Sequence, residues 1–176
     1  MPGVRQLRAH LRSDGVQADR RRRDRGGLLD GVDPRQRQEP ELLVAGGRRD
    51  DFTIDPAAAT RLLREVSPAV TFLCSPNNPT GTVDDPAVTD AVLAAAPGVV
   101  VVDEAYGQFA PRSALGRVDE GCALVVVRTF SKTWSMAAAR LGYAVAPSWL
   151  VAELEKVALP YHLDAAKQVE GRLALR

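Results

Sequence analysis

Apolar and polar positions change rhythm near residue 51. Before it, only Leu28-Leu29 and Leu42-Leu43-Val44-Ala45 offer anything to bury, and neither sustains a period of 2 or 3.6. After it, short apolar runs alternate with amphipathic stretches to the end of the chain. Asp55 is suited to cap a helix with Pro56 at its first position, running through residues 57–65 and stopping before Pro68. Ala69-Val70-Thr71-Phe72-Leu73-Cys74 reads as a strand. It opens into Ser75-Pro76-Asn77-Asn78-Pro79-Thr80-Gly81-Thr82, whose prolines and asparagines predict a rigid, non-repetitive loop. A helix over 87–96 is closed by Pro97-Gly98. Val99-Val100-Val101-Val102 is an unbroken β-branched run, the composition of a strand buried on both faces of a parallel sheet. A loop with a short helix leads to Gly121, then to a strand at Leu124-Val125-Val126-Val127. Residues 142–146 form a further strand, and Pro147-Ser148 opens a helix over 149–158. Beyond Leu159-Pro160-Tyr161, Asp164 is placed to cap a final helix. Strand and helix alternate, which predicts an α/β fold with a mostly parallel sheet and flanking helices. The sequence contains no internal repeat.

Composition sharpens the boundary. The chain has 176 residues, 45% of them apolar, which fits one globular domain at about 150 residues each. Lys and Arg number 23 against 22 Asp and Glu, so net charge points to neither nucleic acid nor membrane. The balance hides an asymmetry: residues 1–50 carry 12 Arg and 8 acids, whereas 51–176 carry 11 basic and 14 acidic residues. Residues 1–50 also lack Phe, Tyr, Trp, Ile, Thr and Lys, and Arg20-Arg21-Arg22-Arg23-Asp24-Arg25-Gly26-Gly27 is a charged low-complexity run. Such a stretch cannot offset its ordering entropy by burial. It is expected to be disordered, or to be a GC-rich gene read out of frame; a basic arm for RNA or DNA is the weaker alternative. Cys74 and Cys122 lack metal-ligand spacing and suit a reducing cytoplasm. No apolar run approaches the roughly 20 residues of a membrane span, and the N-terminus lacks the apolar core of a signal peptide.

Candidate chemistry gathers where predicted strands end. Lys132 is one of three lysines and follows the strand at 124–127, where α/β sheets keep their ligand sites. Unlike arginine, lysine can be tuned to a free amine that forms a Schiff base. Thr129 and Ser131 bring hydroxyls, and Arg140 a guanidinium suited to phosphate. An amine beside a phosphate cradle suggests pyridoxal 5'-phosphate, held at its aldehyde and its phosphate. Asp103, ending the Val99–Val102 run, is placed to keep a proton on the cofactor's ring nitrogen, or else to cap the following turn. Tyr106 and Asn78 are donors for the ring's phenolic oxygen, or else a structural tyrosine and a turn residue. Taken alone, Arg140 reads equally as a surface ion pair. Strand alternation points Glu104 away from Asp103. Lys156 and Lys167 read as solvated, and Trp134 and Trp149 as core. His10 and His162 are too far apart and too poorly flanked for a metal site.

Three motifs in order carry a resemblance. Ser75-Pro76-Asn77-Asn78-Pro79-Thr80-Gly81, then Asp103-Glu104-Ala105-Tyr106, then Thr129-Phe130-Ser131-Lys132 with Arg140, resemble the fold-type I aminotransferases of class I/II, and within them the histidinol-phosphate aminotransferases. Leu159-Pro160-Tyr161-His162-Leu163 resembles the segment leading into that family's interdomain helix. The resemblance implies that Lys132 is the Schiff-base lysine and proton shuttle, and that Asp103 pairs with the ring nitrogen. It implies that Asn78 and Tyr106 hold the ring oxygen and that Thr129, Ser131 and Arg140 bind the phosphate. The partners it implies are an amino donor such as glutamate, an oxo acceptor such as imidazole-acetol phosphate, and a second copy of the full-length protein. No metal, nucleic acid or membrane is implied.

The likeness covers residues 51–176, the central part of the family's cofactor-binding large domain. Residues 1–50 contain neither the family's glycine-containing phosphate loop nor its ring-stacking aromatic, and its carboxylate-gripping arginine lies further along than Arg176. The chain is therefore expected to behave as a fragment, with weak cofactor binding and little transamination by itself. The alternatives are an aromatic aminotransferase, a phosphothreonine decarboxylase, an aminotransferase-like domain of a transcription regulator, and an inactive remnant. A regulator needs a helix-turn-helix upstream, and residues 1–50 lack its periodicity.

Overall fold

The computed structural model describes residues 43–159 and 163–176. The expectations made for residues 1–42, for His10 and His162, and for Pro160 and Tyr161 lie outside the described residues. Helix α1 (Pro56–Val66) starts where the sequence places it: the Asp55 side chain accepts from the amides of Ala57 and Ala58, and Pro56 fills the first position. It ends at Ser67, left-handed at φ 50°, whose amide bonds back to Leu63. Helix α2 (Pro86–Ala95) repeats the device, with Asp85 accepting from Ala87. Strands β1 (Val70–Cys74), β2 (Val99–Asp103) and β3 (Leu124–Thr129) follow, with β4 (Gly142–Val145) after them. Helices α3 (Ser148–Val157) and α4 (Ala165–Ala174) close the chain, Asp164 capping α4 through the Lys167 amide.

The four strands form one sheet in the order β1-β2-β3-β4. The first three are parallel, with Cys74 beside Asp103 and Asp103 beside Val127; β4 runs antiparallel to β3, pairing Gly142 with Thr129. Parallel neighbours put the carboxyl ends of β1, β2 and β3 on one edge of the sheet. That edge gathers all three motifs. The short helix expected before Gly121 is two single 3-10 turns, Gly107–Phe109 and Ala114–Arg117.

The core lies on one face of the sheet. Leu73, Val100, Val102, Leu124 and Val126 meet Leu63 of α1 and Val92 of α2. Each such side chain contributes about 1.5–3 kcal/mol on burial. The expectation that β2 is buried on both faces is corrected: Val100 and Val102 are sealed, but Val99 and Val101 are half-buried. The register aligns Val70 with Val99 and Phe72 with Val101, and this second face remains partly open, with Phe72 59% exposed. A smaller cluster of Phe130, Leu141 and Tyr143, flanked by Trp134, Met136, Leu163 and Ala174, sits past the end of β3. Trp134 belongs to it, donating its indole N–H to the Ala174 carbonyl. Trp149 does not bear out the core reading. It opens α3 45% exposed, its indole bonded to the Glu120 carbonyl. Lys156 is solvated and Lys167 half-buried, each paired with a carboxylate one turn away.

Among the described residues, the compact unit includes Gly46–Asp50, ahead of the composition shift near residue 51. Gly46–Arg176 belong to one compact unit, and Arg48 is bonded into it. Its guanidinium reaches both Asp84 carboxylate oxygens at 3.2 Å, the Cys74 carbonyl at 3.1 Å and the Phe52 carbonyl at 2.8 Å.

Candidate active site

The loop after β1 carries Asn78. Its shape is fixed from within: the Asn77 amide donates to the Thr82 carbonyl, the Gly81 amide to the Asn77 carbonyl, and the Asn77 side chain to the Thr80 hydroxyl. Gly81 stands at φ +72°, a region that side chains other than glycine rarely occupy. Asn78 and Tyr106 line the same open hollow of about 330 Å³, with Pro76, Pro79 and Phe109 among its other walls. A hollow of about 450 Å³ beside α1 and α2 holds no candidate residue.

Asp103 ends β2, half-buried. Its Oδ1 accepts from the Ala105 amide at 2.8 Å, so it does cap the turn, as one of the two sequence readings had it. Oδ2 has no hydrogen-bond partner among the described residues, and one carboxylate can serve both roles. Glu104 points the other way, as alternation requires, into a buried bond with Arg128 at 2.7 Å. Burial works against the Arg128 charge, but the hydrogen-bonded Glu104 carboxylate helps to outweigh it and hold its pKa above the ordinary value.

Lys132 stands in the loop after β3, exposed, with Nζ 5.3 Å from the centre of the Tyr106 ring. This contact joins the second and third motifs, and through the hollow Tyr106 joins them to the first. The loop is anchored by Phe130, fully buried, whose amide bonds to the Leu141 carbonyl and whose carbonyl accepts from the Met136 amide. Thr129 Oγ1 donates to the Leu141 carbonyl at 3.4 Å and accepts from the Ser131 amide at 3.1 Å. These bonds shape the turn that presents Ser131 and Lys132. Arg140 is exposed and left-handed at φ 52°, and its Nη1 bonds to the Ala137 carbonyl at 3.2 Å. No hydrogen bond or ion pair ties it to another candidate residue.

The chain matches the model of aminotransferase class I and II over residues 43–170. It belongs to the class I and II aminotransferase family. Among curated relatives it is 47% identical over 136 residues to the histidinol-phosphate aminotransferase of Thermobifida fusca, covering 76% of this chain and 37% of that protein. It is 48% identical over 131 residues to the enzyme of the same name from Rhodococcus jostii, covering 73% and 34%. The chain thus spans about a third of the length of these relatives. Among solved structures it is similar to histidinol-phosphate aminotransferase from Sinorhizobium meliloti, a complex with pyridoxal-5'-phosphate. There the TM-score is 0.64 at 25% identity, covering 72% of this chain and 35% of that one.

For an aminotransferase the donor set fits a pyridoxal phosphate. An amine, a phenol, an amide and a carboxylate with an open lone pair stand at one sheet edge, with two hydroxyls beside the amine. Sequence reasoning missed Arg48, Asp84, Arg128 and Ser113, the residues that brace this edge. Arg48 was concealed by the composition around it, and the other three carry no motif signal. Phe109, 67% exposed on the hollow's wall, was also missed.

Proposed function

We propose that this chain supplies the cofactor-binding part of a pyridoxal-phosphate aminotransferase of histidine biosynthesis, transferring an amino group between glutamate and imidazole-acetol phosphate. The relatives' shared name supports the substrate; Lys132 set against Tyr106 at the sheet's carboxyl edge supports the chemistry and is the observation that carries it. The aminotransferase reads as a cytoplasmic homodimer.

Lys132 would hold the cofactor through Nζ, and the same amine would be placed to carry a proton at the substrate's α-carbon. Bound in the site, the pyridoxal ring supplies an electron sink for the bond broken at that carbon. Asp103 Oδ2 keeps a proton on the ring nitrogen, because a carboxylate in contact stabilises the protonated form. Asn78 and Tyr106 donate to the ring oxygen. Thr129, Ser131 and Arg140 would hold the phosphate, the Arg140 guanidinium being suited to bidentate pairing with it.

Mixing the chain with pyridoxal phosphate, reducing with borohydride and mapping the peptides tests this reading. The pyridoxyl group is expected on Lys132 in preference to Lys156 and Lys167, and the Lys132→Ala chain should fall to the level of those two. Equal labelling of all three lysines would remove the proposal.

A further inference from the structure

Glu104 lies between two site residues in sequence, yet its side chain touches neither. It is 2% exposed, and its carboxylate is saturated. Oε2 accepts from Arg128 Nε at 3.0 Å, Arg128 Nη2 at 2.7 Å and Ser113 Oγ at 2.8 Å, and Oε1 accepts from the Ala114 amide at 2.6 Å. Arg128 Nη2 also reaches Ser113 Oγ at 2.9 Å. Removing two charges from water costs more than mere packing would justify, but a fully satisfied buried network is rigid. The turn that presents Tyr106 is wrapped tightly over it. The Gly107 amide returns to the Glu104 carbonyl at 2.8 Å, and a Cβ at Gly107 would lie 2.8 Å from Glu104 Cβ and 2.9 Å from Oε2. From the other side, Arg128 immediately precedes Thr129, whose hydroxyl shapes the turn that carries Lys132.

We propose that the buried Glu104–Arg128 pair is a positioning device that sets Lys132 against Tyr106, locking the end of β2 to the end of β3. The inference rests on the reading of Lys132 as the cofactor-holding amine, but its test needs no cofactor. Neither residue touches the reacting groups; both act through the turns they brace. A purely structural pair would contribute stability without governing the distance between the amine and the phenol ring.

The chain has three lysines, so a sample labelled with 13C-lysine gives three ε-methylene signals, and Lys132→Ala assigns one of them. With Nζ 5.3 Å from the Tyr106 ring centre, the Lys132 signal is expected upfield of the other two. Tyr106→Leu supplies its position without the ring. In Glu104→Gln, which keeps the shape but not the charge, and in Arg128→Lys, which loses the two-pronged fork, the Lys132 signal should move at least halfway to the Tyr106→Leu position. The indole signals of Trp134 and Trp149 should stay in place. Gly107→Ala, which crowds the pair from above, should likewise move the Lys132 signal. A Lys132 signal unmoved in folded variants overturns the proposal, as does a wild-type signal already coincident with that of Tyr106→Leu. Unfolding of all three variants also overturns it, assigning the pair to stability alone. Failure of the borohydride labelling in wild type, with these shifts as expected, would instead sink the cofactor reading and leave the positioning role standing.

Discussion

Arg48 grips Asp84 at 3.2 Å across thirty-six residues of sequence, and the two together close the base of the loop that carries Asn78. The guanidinium also reaches the Cys74 carbonyl where the loop begins, and Asp84 accepts from the Ile54 amide while donating its own amide to Ser75 Oγ. Both stems of the loop are thereby fastened to the segment before α1. Asp84 is nearly buried, its side chain 5% exposed. Removing the arginine leaves an uncompensated carboxylate, which costs about 3 kcal/mol. Arg48→Ala should lower the urea midpoint accordingly, and an unchanged midpoint would show the contact to be dispensable.

Phe130 anchors the lysine loop. It is fully buried, with ring centres 5.0 Å from Trp134 and 5.4 Å from Tyr143. Phe130→Ala deletes the middle of the smaller core cluster and should destabilise the chain by about 3–5 kcal/mol, read by denaturant titration. Because the Lys132 turn hangs from this residue, a second consequence is expected. Preferential borohydride labelling of Lys132 should weaken even at temperatures where the variant remains folded.

Acid should loosen the helix starts first. Hydrogen bonds from the Ala58 and Ala57 amides, then from Arg49, hold the Asp55 carboxyl below its ordinary 3.8, and the Lys167 amide and side chain do the same for Asp164. A carboxyl whose folded pKa is depressed binds fewer protons folded than unfolded. Its contribution is therefore complete above about pH 4 and is lost as pH falls through the lowered folded value. Asp55→Asn keeps a capping oxygen but cannot titrate. Stability measured from pH 6 down to pH 2 should fall less steeply in that variant, whereas parallel curves would contradict the assignment.

Gly142 pairs with Thr129 where β3 meets β4, and a Cβ there would come within 2.8 Å of the Arg128 carbonyl oxygen. The obstacle is paired backbone, which cannot swing aside as a side chain can. Gly142→Ala should cost about 1–3 kcal/mol in a thermal or urea melt. Gly47→Ala, with nothing within 4 Å of the added carbon, supplies the control with no such clash.

Local chemistry decided much of this protein before any folding. Asp55-Pro56 and Asp85-Pro86 start helices because a carboxylate accepts the first free amides and proline needs none. Val99–Val102 and Leu124–Val127 are strands because branched side chains crowd a helix and fit a pleat. The order of the three motifs pointed to a pyridoxal-phosphate site because it resembles that of the class I and II aminotransferases. Contacts between distant residues were not legible. Nothing local to Arg48 says that it reaches Asp84, since the composition around it points to disorder. That Asp103 caps the turn through one oxygen, bonded to the Ala105 amide, while the other oxygen stays open was visible only in the folded chain. That Val99 and Val101 stay half-buried, or that Glu104 meets Arg128, depends on which strands become neighbours and in what register. A residue's sequence neighbours set its backbone preference, whereas its burial and its partners are set by groups brought to it only when the sheet has formed.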